Sequence, residues 1–187
     1  MVSKTQRLLD KNSYAITRGH DFVEIDGVKW ATCNLGAKSP EDPGLYFRWG
    51  DEKGVYGDEF IAEVEKFTVL KYDIIRKWDN CPVQALWGGK WRMPTPDEFL
   101  RLLNKERVLK NNKINAILQK DGKKLYFPRG GFLGTIHNDY GRQACFWTNE
   151  IFSDDCAFSI NIDAKGKCYK ECDYKYFGLN IRPVLDV

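Results

Sequence analysis

The chain has 187 residues, of which 43% are hydrophobic and 29% charged, with a net charge of +3. That length suits one domain of ordinary size, able to bury about 68–70% of the surface its unfolded form exposes. Average glycine and proline shares exclude fibrous and linker-like classes, and no run approaches the roughly 18 apolar residues a bilayer span needs. A balance of +3 is too weak to argue for a nucleic-acid partner.

Residues 1–20 are polar and irregular and read as an N-terminal arm; residues 21–187 read as the domain. The arm has no apolar h-region and no small-residue cleavage site, so no secretion signal is read in it. Asp26-Gly27 between Phe22-Val23-Glu24-Ile25 and Val28-Lys29-Trp30 predicts a hairpin, because a type I′ turn needs positive φ at both central residues. Residues 37–57 are loop-like, with Pro40, Pro43 and Gly44 followed by the aromatic run Tyr46-Phe47-Arg48-Trp49. A second helix is expected within residues 60–78 from Phe60, Val64, Phe67 and Leu70. Thr95-Pro96-Asp97-Glu98 is a capping box with proline at the first helical position, so a helix starts there and runs to about Asn104.

After residue 113 the period becomes two. Ile114, Ala116 and Leu118 lead through Asp121-Gly122 to Leu125-Tyr126-Phe127, a second hairpin. Phe158, Ile160 and Ile162 alternate with polar residues as a half-buried strand should, and a turn follows at 164–167. Phe177, Leu179 and Ile181 alternate in the same way and predict a last strand over 177–184. The sum is α+β: a single domain of short antiparallel strands, one or two helices and long loops. Residues 41–65 carry eight acids and two bases, and residues 101–124 eight bases and two acids. These read as two solvated faces rather than a nucleic-acid groove, since the basic stretch lacks aromatic stacking platforms before Tyr126.

Several motifs, in this order, resemble the Fibrobacter succinogenes major paralogous domain. They are Val28-Lys29-Trp30-Ala31-Thr32-Cys33-Asn34-Leu35-Gly36, Gly44-Leu45-Tyr46-Phe47-Arg48-Trp49-Gly50, Trp91-Arg92-Met93-Pro94-Thr95-Pro96, Leu125-Tyr126-Phe127-Pro128, Phe146-Trp147-Thr148-Asn149 and Ile181-Arg182-Pro183-Val184. Together they cover about residues 22–184. The resemblance implies a C-type lectin-like domain, in the branch shared with formylglycine-generating enzymes, whose N- and C-terminal strands pair. It also implies a non-enzymatic ligand-binding protein with a variable surface just before the last strand. Such a protein would be a retroelement-diversified, virion-borne receptor-binding protein, or alternatively a Bacteroidetes surface adhesin or glycan-binding protein. A formylglycine-generating oxidase is the third reading. The implied partner is a protein or glycan receptor on a cell surface.

Six cysteines (33, 81, 145, 156, 168 and 172) have irregular spacing and no CxxC pair, which favours reduced thiols; Cys33 reads as a buried small hydrophobe. Only His20 and His137 could join them around zinc, so no metal and no cofactor is expected. The sugar-binding triplets of C-type lectins are absent, and Glu150 with Asp154-Asp155 reads as an exposed acidic turn. Cys168 and Cys172 are the one close cysteine pair, but four residues apart on a strand they stand about 13 Å apart. Arg92 and Arg182 read as structural, locking loops through forked hydrogen bonds. The expected binding surface is Tyr169, Lys170, Glu171, Asp173, Tyr174 and Tyr176, with Glu150 and Phe152 as its rim. Tyrosine offers large, rigid contact area at low entropic cost. The competing reading of the same segment is an ordinary edge hairpin whose charges block aggregation.

Overall fold

The computed structural model describes residues 19–57, 81–103, 108–112, 115–134 and 137–186. The helix expected within 60–78, and the arm before Gly19, lie outside the described residues.

The two Asp-Gly hairpins form as expected. Strands β1 (Phe22–Ile25) and β2 (Val28–Ala31) pair antiparallel about Asp26-Gly27, whose φ values are 51° and 78°. Strands β5 (Asn115–Lys120) and β6 (Lys123–Pro128) pair about Asp121-Gly122, at 50° and 75°. Two successive positive φ values are what the type I′ turn demands, and they match the right-handed twist of the strands. The two tips lie together: Lys120 Nζ is 2.7 Å from Asp26 Oδ1, and Lys123 Nζ donates to Glu24 O at 2.8 Å. Of the basic stretch, Lys120 is thus paired with an acid and Lys123 with a backbone carbonyl. The stretch also contains β4 (Val108–Asn111), which pairs with β5.

Helix α1 (Pro82–Leu86) precedes β3 (Trp91–Arg92), and α2 (Pro96–Leu102) follows it. The α2 capping box is complete: Thr95 Oγ1 accepts from Glu98 N at 3.1 Å, and Glu98 Oε2 accepts from Thr95 N at 2.8 Å. Arg92 forks onto the same carboxylate at 2.6 and 2.9 Å and reaches Asp186 at 2.6 Å. Burial raises the Glu98 carboxyl, but the Arg92 hydrogen bonds and the Thr95 amide outweigh it and leave it below its usual value. A lowered folded-state value makes this stabilisation complete above the ordinary glutamate range. It is lost as pH falls through the lower folded value. Thermal melts of the wild type and Glu98→Gln should therefore differ at pH 7 and converge below about pH 4. A difference that persists unchanged at pH 3 would show that the carboxylate is not the source.

The remaining strands are β7 (Phe132–Leu133), β8 (His137–Asn138), β9 (Ala144–Ile151), β10 (Cys156–Ile162), β11 (Cys168–Tyr174) and β12 (Val184–Leu185). Among the described residues four sheets result, in the orders β1-β2-β12-β3, β11-β10-β9, β4-β5-β6 and β7-β8. All named strand pairs are antiparallel, so the fold is a β-rich α+β arrangement with short helices. Strand β12 sits between β2 and β3, which brings the first and last described strands into one sheet. No helix among the described residues is long and apolar enough to cross a membrane.

The sheet β11-β10-β9 is covered on both faces. Phe146, Ile160 and Ile162 join Trp30, Phe99 and Phe127 in one core; Cys145, Trp147 and Ala157 join Phe47, Trp49 and Trp91 in another. The long loop over 32–57 is latched to the chain's last third by Leu35 N to Ile181 O, by reciprocal Phe47–Leu179 bonds, and by Trp49 N to Lys175 O. Gly44 is required in that loop. Its φ is +74°, and a Cβ there would sit 2.6 Å from Leu35 O.

The strand expected over 177–184 is corrected. Only Val184–Leu185 is a regular strand, while Gly178, Leu179 and Asn180 make single bridges to Leu133, Phe47 and Phe146 in turn. The alternation there did not mark a half-buried strand, since residues 178–185 are buried on all sides. Cys33 is also corrected: it is half-buried rather than buried.

Arg182 is fully buried and acts as a clamp. Its Nε donates to Asn34 Oδ1 at 2.7 Å, Nη1 to the Ala31 and Thr32 carbonyls, and Nη2 to the Tyr126 carbonyl. Burial pulls its guanidinium down to about 10, still charged at neutral pH.

Candidate binding surface

The polar, tyrosine-rich segment 169–176 lies mostly in an edge strand with a turn at its end. Strand β11 pairs with β10 in unbroken register, from Ile162↔Cys168 to Cys156↔Tyr174. Asp163 builds the connecting turn: its Oδ1 accepts from the Lys165 and Lys167 amides at 2.8 Å. At the other end Phe177 N donates to Tyr174 O at 2.8 Å and reverses the chain.

The eight expected site residues separate by position. Lys170, Glu171, Tyr174, Tyr176, Glu150 and Phe152 are exposed, whereas Tyr169 and Asp173 are half-buried. Tyr169 is turned to the far end, where its hydroxyl donates to Asp163 at 3.2 Å and Lys167 lies 4.7 Å over its ring. Glu171 accepts from Asn161 Nδ2 at 3.1 Å, and Asp173 from Ser159 Oγ at 2.6 Å. These two acids thus lean over the buried polar residues of β10. Lys170 lies on the opposite face, 4.0 Å over the Phe158 ring.

Tyr174 and Tyr176 come together at the hairpin's open end. Their rings stack with centroids 5.2 Å apart and planes 16° apart, and both stand edge-on to Phe177. Phe177 rests on Phe132 and so ties the pair to the core. Phe152 packs edge-on to Phe158 beside them, with its amide donating to Cys156 O opposite Tyr174. Burial, then the neighbouring Tyr174, raise the Tyr176 hydroxyl, which keeps it a neutral donor.

The residue that holds this end in place was not singled out from sequence. Lys175, between the two tyrosines, is buried; its Nζ donates to Asp154 O at 2.8 Å and lies 5.2 Å over the Trp49 ring. Its amide donates to Asp155 O. A lysine flanked by exposed tyrosines carries no sequence mark of burial. Ile151 was also missed and adds exposed apolar surface.

Two of the thiols are held in their protonated form by burial. Burial pushes Cys168 up to about 12 and Cys145 well above its ordinary value, the opposite of what an attacking thiolate needs. All six cysteines are free. Among the described residues no group of three or more His, Cys, Asp and Glu side chains is arranged to hold a metal ion. A shallow depression between the two Asp-Gly tips, lined by residues such as Glu24, Asp26 and Lys120, shares no residue with the tyrosine surface.

No family model, no curated protein and no solved structure matches this chain.

Proposed function

We propose that the chain is a non-enzymatic binding module that holds a protein or glycan ligand against the open end of the β10–β11 hairpin. The observation that carries this reading is the Tyr174–Tyr176 stack, with the two rings 49% and 40% exposed yet pinned from beneath by Phe177 and Lys175. Exposed aromatic rings held rigid by a core bind at little entropic cost. A merely protective edge strand needs charges, not an ordered aromatic pair. The raised Cys168 thiol argues against the oxidase alternative. The motif resemblance supports a C-type lectin-like domain displayed on a virion or a cell surface, with its ligand surface diversified.

The test is a selection on the immobilised chain, using a glycan array and a displayed random-peptide library. Ligands retained by the wild type should lose at least about 100-fold in affinity for the Tyr174→Ala/Tyr176→Ala double variant, as hot-spot aromatics do. The melting temperature should fall by less than about 4 °C, since the rings are half in solvent. Undiminished binding would sink the proposal. So would collapse of the fold, which would make these tyrosines core residues.

A further inference from the structure

We propose that the ligand of this surface is a cationic protein, one that lays an arginine against the Tyr174–Tyr176 stack; this rests on the binding reading above. The two ends of the β10–β11 hairpin differ in charge. Lys165 and Lys167 lie at its closed end, about 20 Å of strand from Tyr174. At the open end stand Glu150, Asp154 and Asp155, all exposed, while Asp173 and Glu171 follow along β11 on the face alternate to Tyr174. Asp173 and Glu171 accept hydrogen bonds from a serine and an asparagine, which leave their charge in place. Among the described residues no ion pair engages any of these five acids.

Among the described residues two lysines toward this end of the hairpin keep their charge against those five acids. Lys175 is buried with its ammonium on Asp154 O, and Lys170 lies over Phe158. The open end is therefore locally negative on a chain whose net charge is +3. At physiological salt this field reaches only about 8 Å, so it acts on what touches the tyrosines and is not cancelled by the distant basic strands. An aromatic face attracts a cation electrostatically, and a guanidinium adds planar stacking while forking onto a neighbouring carboxylate. A nucleic acid, a sulfated or sialylated glycan, or an acidic peptide would meet the same carboxylates with repulsion.

The probes are fluorescein-labelled nona-arginine, nona-lysine and nona-glutamate, each titrated against the full chain by anisotropy at 50 and 200 mM NaCl. Nona-arginine should bind at least threefold tighter than nona-lysine, weaken with salt, and outcompete nona-glutamate entirely. The Tyr174→Ala/Tyr176→Ala variant should lose about tenfold for nona-arginine. Asp154→Asn/Asp155→Asn should lose severalfold without a change in melting temperature, because only the backbone of these residues is bonded. Equal binding of arginine and lysine peptides, unaffected by the tyrosine changes, would reduce the effect to diffuse charge and overturn the proposal. If nona-arginine fails while selected acidic or neutral ligands still depend on the tyrosines, the cationic class falls and the binding reading stands. If nothing selected depends on the tyrosines, both fall.

Discussion

Replacing Arg182 with methionine is expected to cost about 3–5 kcal/mol and leave little folded protein at 37 °C. The guanidinium satisfies three backbone carbonyls and the Asn34 side chain, all drawn from segments distant in sequence. Methionine fills much of the volume, so the loss is not mainly a cavity. It is four acceptors stripped of their donor, two of them buried and two part-buried, with each buried one worth about 1–3 kcal/mol when orphaned. Removing the buried charge returns part of that, which sets the lower end of the range. Arg182→Lys should fare nearly as badly, because one ammonium cannot span acceptors placed for a planar fork. Urea denaturation decides the matter: midpoints within about 0.5 kcal/mol of wild type for both variants would show the clamp to be incidental.

The second large effect is expected at Trp147. It is fully buried, and its indole Nε1 donates to Phe47 O at 2.7 Å, while Trp49 Nε1 donates back to Thr148 O at 3.1 Å. This pair of indoles stitches the 47–49 segment to β9. Trp147→Ala should cost about 3–5 kcal/mol through the cavity and lost contact. Trp147→Phe keeps most of the packing and removes one of two donors to Phe47 O, which still accepts from Leu179 N, so it should cost only about 0.5–1.5 kcal/mol. The ratio of the two separates packing from hydrogen bonding. Because Trp49 N also donates to Lys175 O, the same variants should loosen the Tyr174–Tyr176 platform. Hydrogen exchange at residues 174–177 should then rise in Trp147→Phe. Unchanged protection there would mean that the platform is held from elsewhere.

Legibility from sequence followed how local the determinant was. Asp26-Gly27, Asp121-Gly122 and the Thr95–Glu98 box each settle a backbone conformation within four residues, and each was read correctly. Strand β9 was not read as a strand of its own, because Ala144 to Thr148 are buried without alternation between two cores. A strand covered on both faces loses the period that would reveal it. Phe177, Leu179 and Ile181 show the converse: a clean period of two along a stretch that only bridges loops. The tyrosines of the site were found by composition, but composition could not say that Tyr169 belongs to the far turn or that Lys175 points inward. Those placements depend on the register of β10 with β11 and on Trp49, more than a hundred residues upstream.

The seat of β12 between β2 and β3 bears on how the chain is made. Val184 and Leu185 fill the slot beside Trp30 and Lys29, and Arg182 closes on Asn34. Until residues 182–185 have been synthesised, β2 has one free edge and Trp30 lacks part of its cover. The pairings of β12 with β2 and β3 join residues at least 92 positions apart, and such long-range closure is slow. This sheet therefore closes only once residues 182–185 have emerged, and until then the growing chain holds an apolar strand open to other chains. Its yield in a cell should depend on what shields that edge during those seconds more than on the stability of the finished domain.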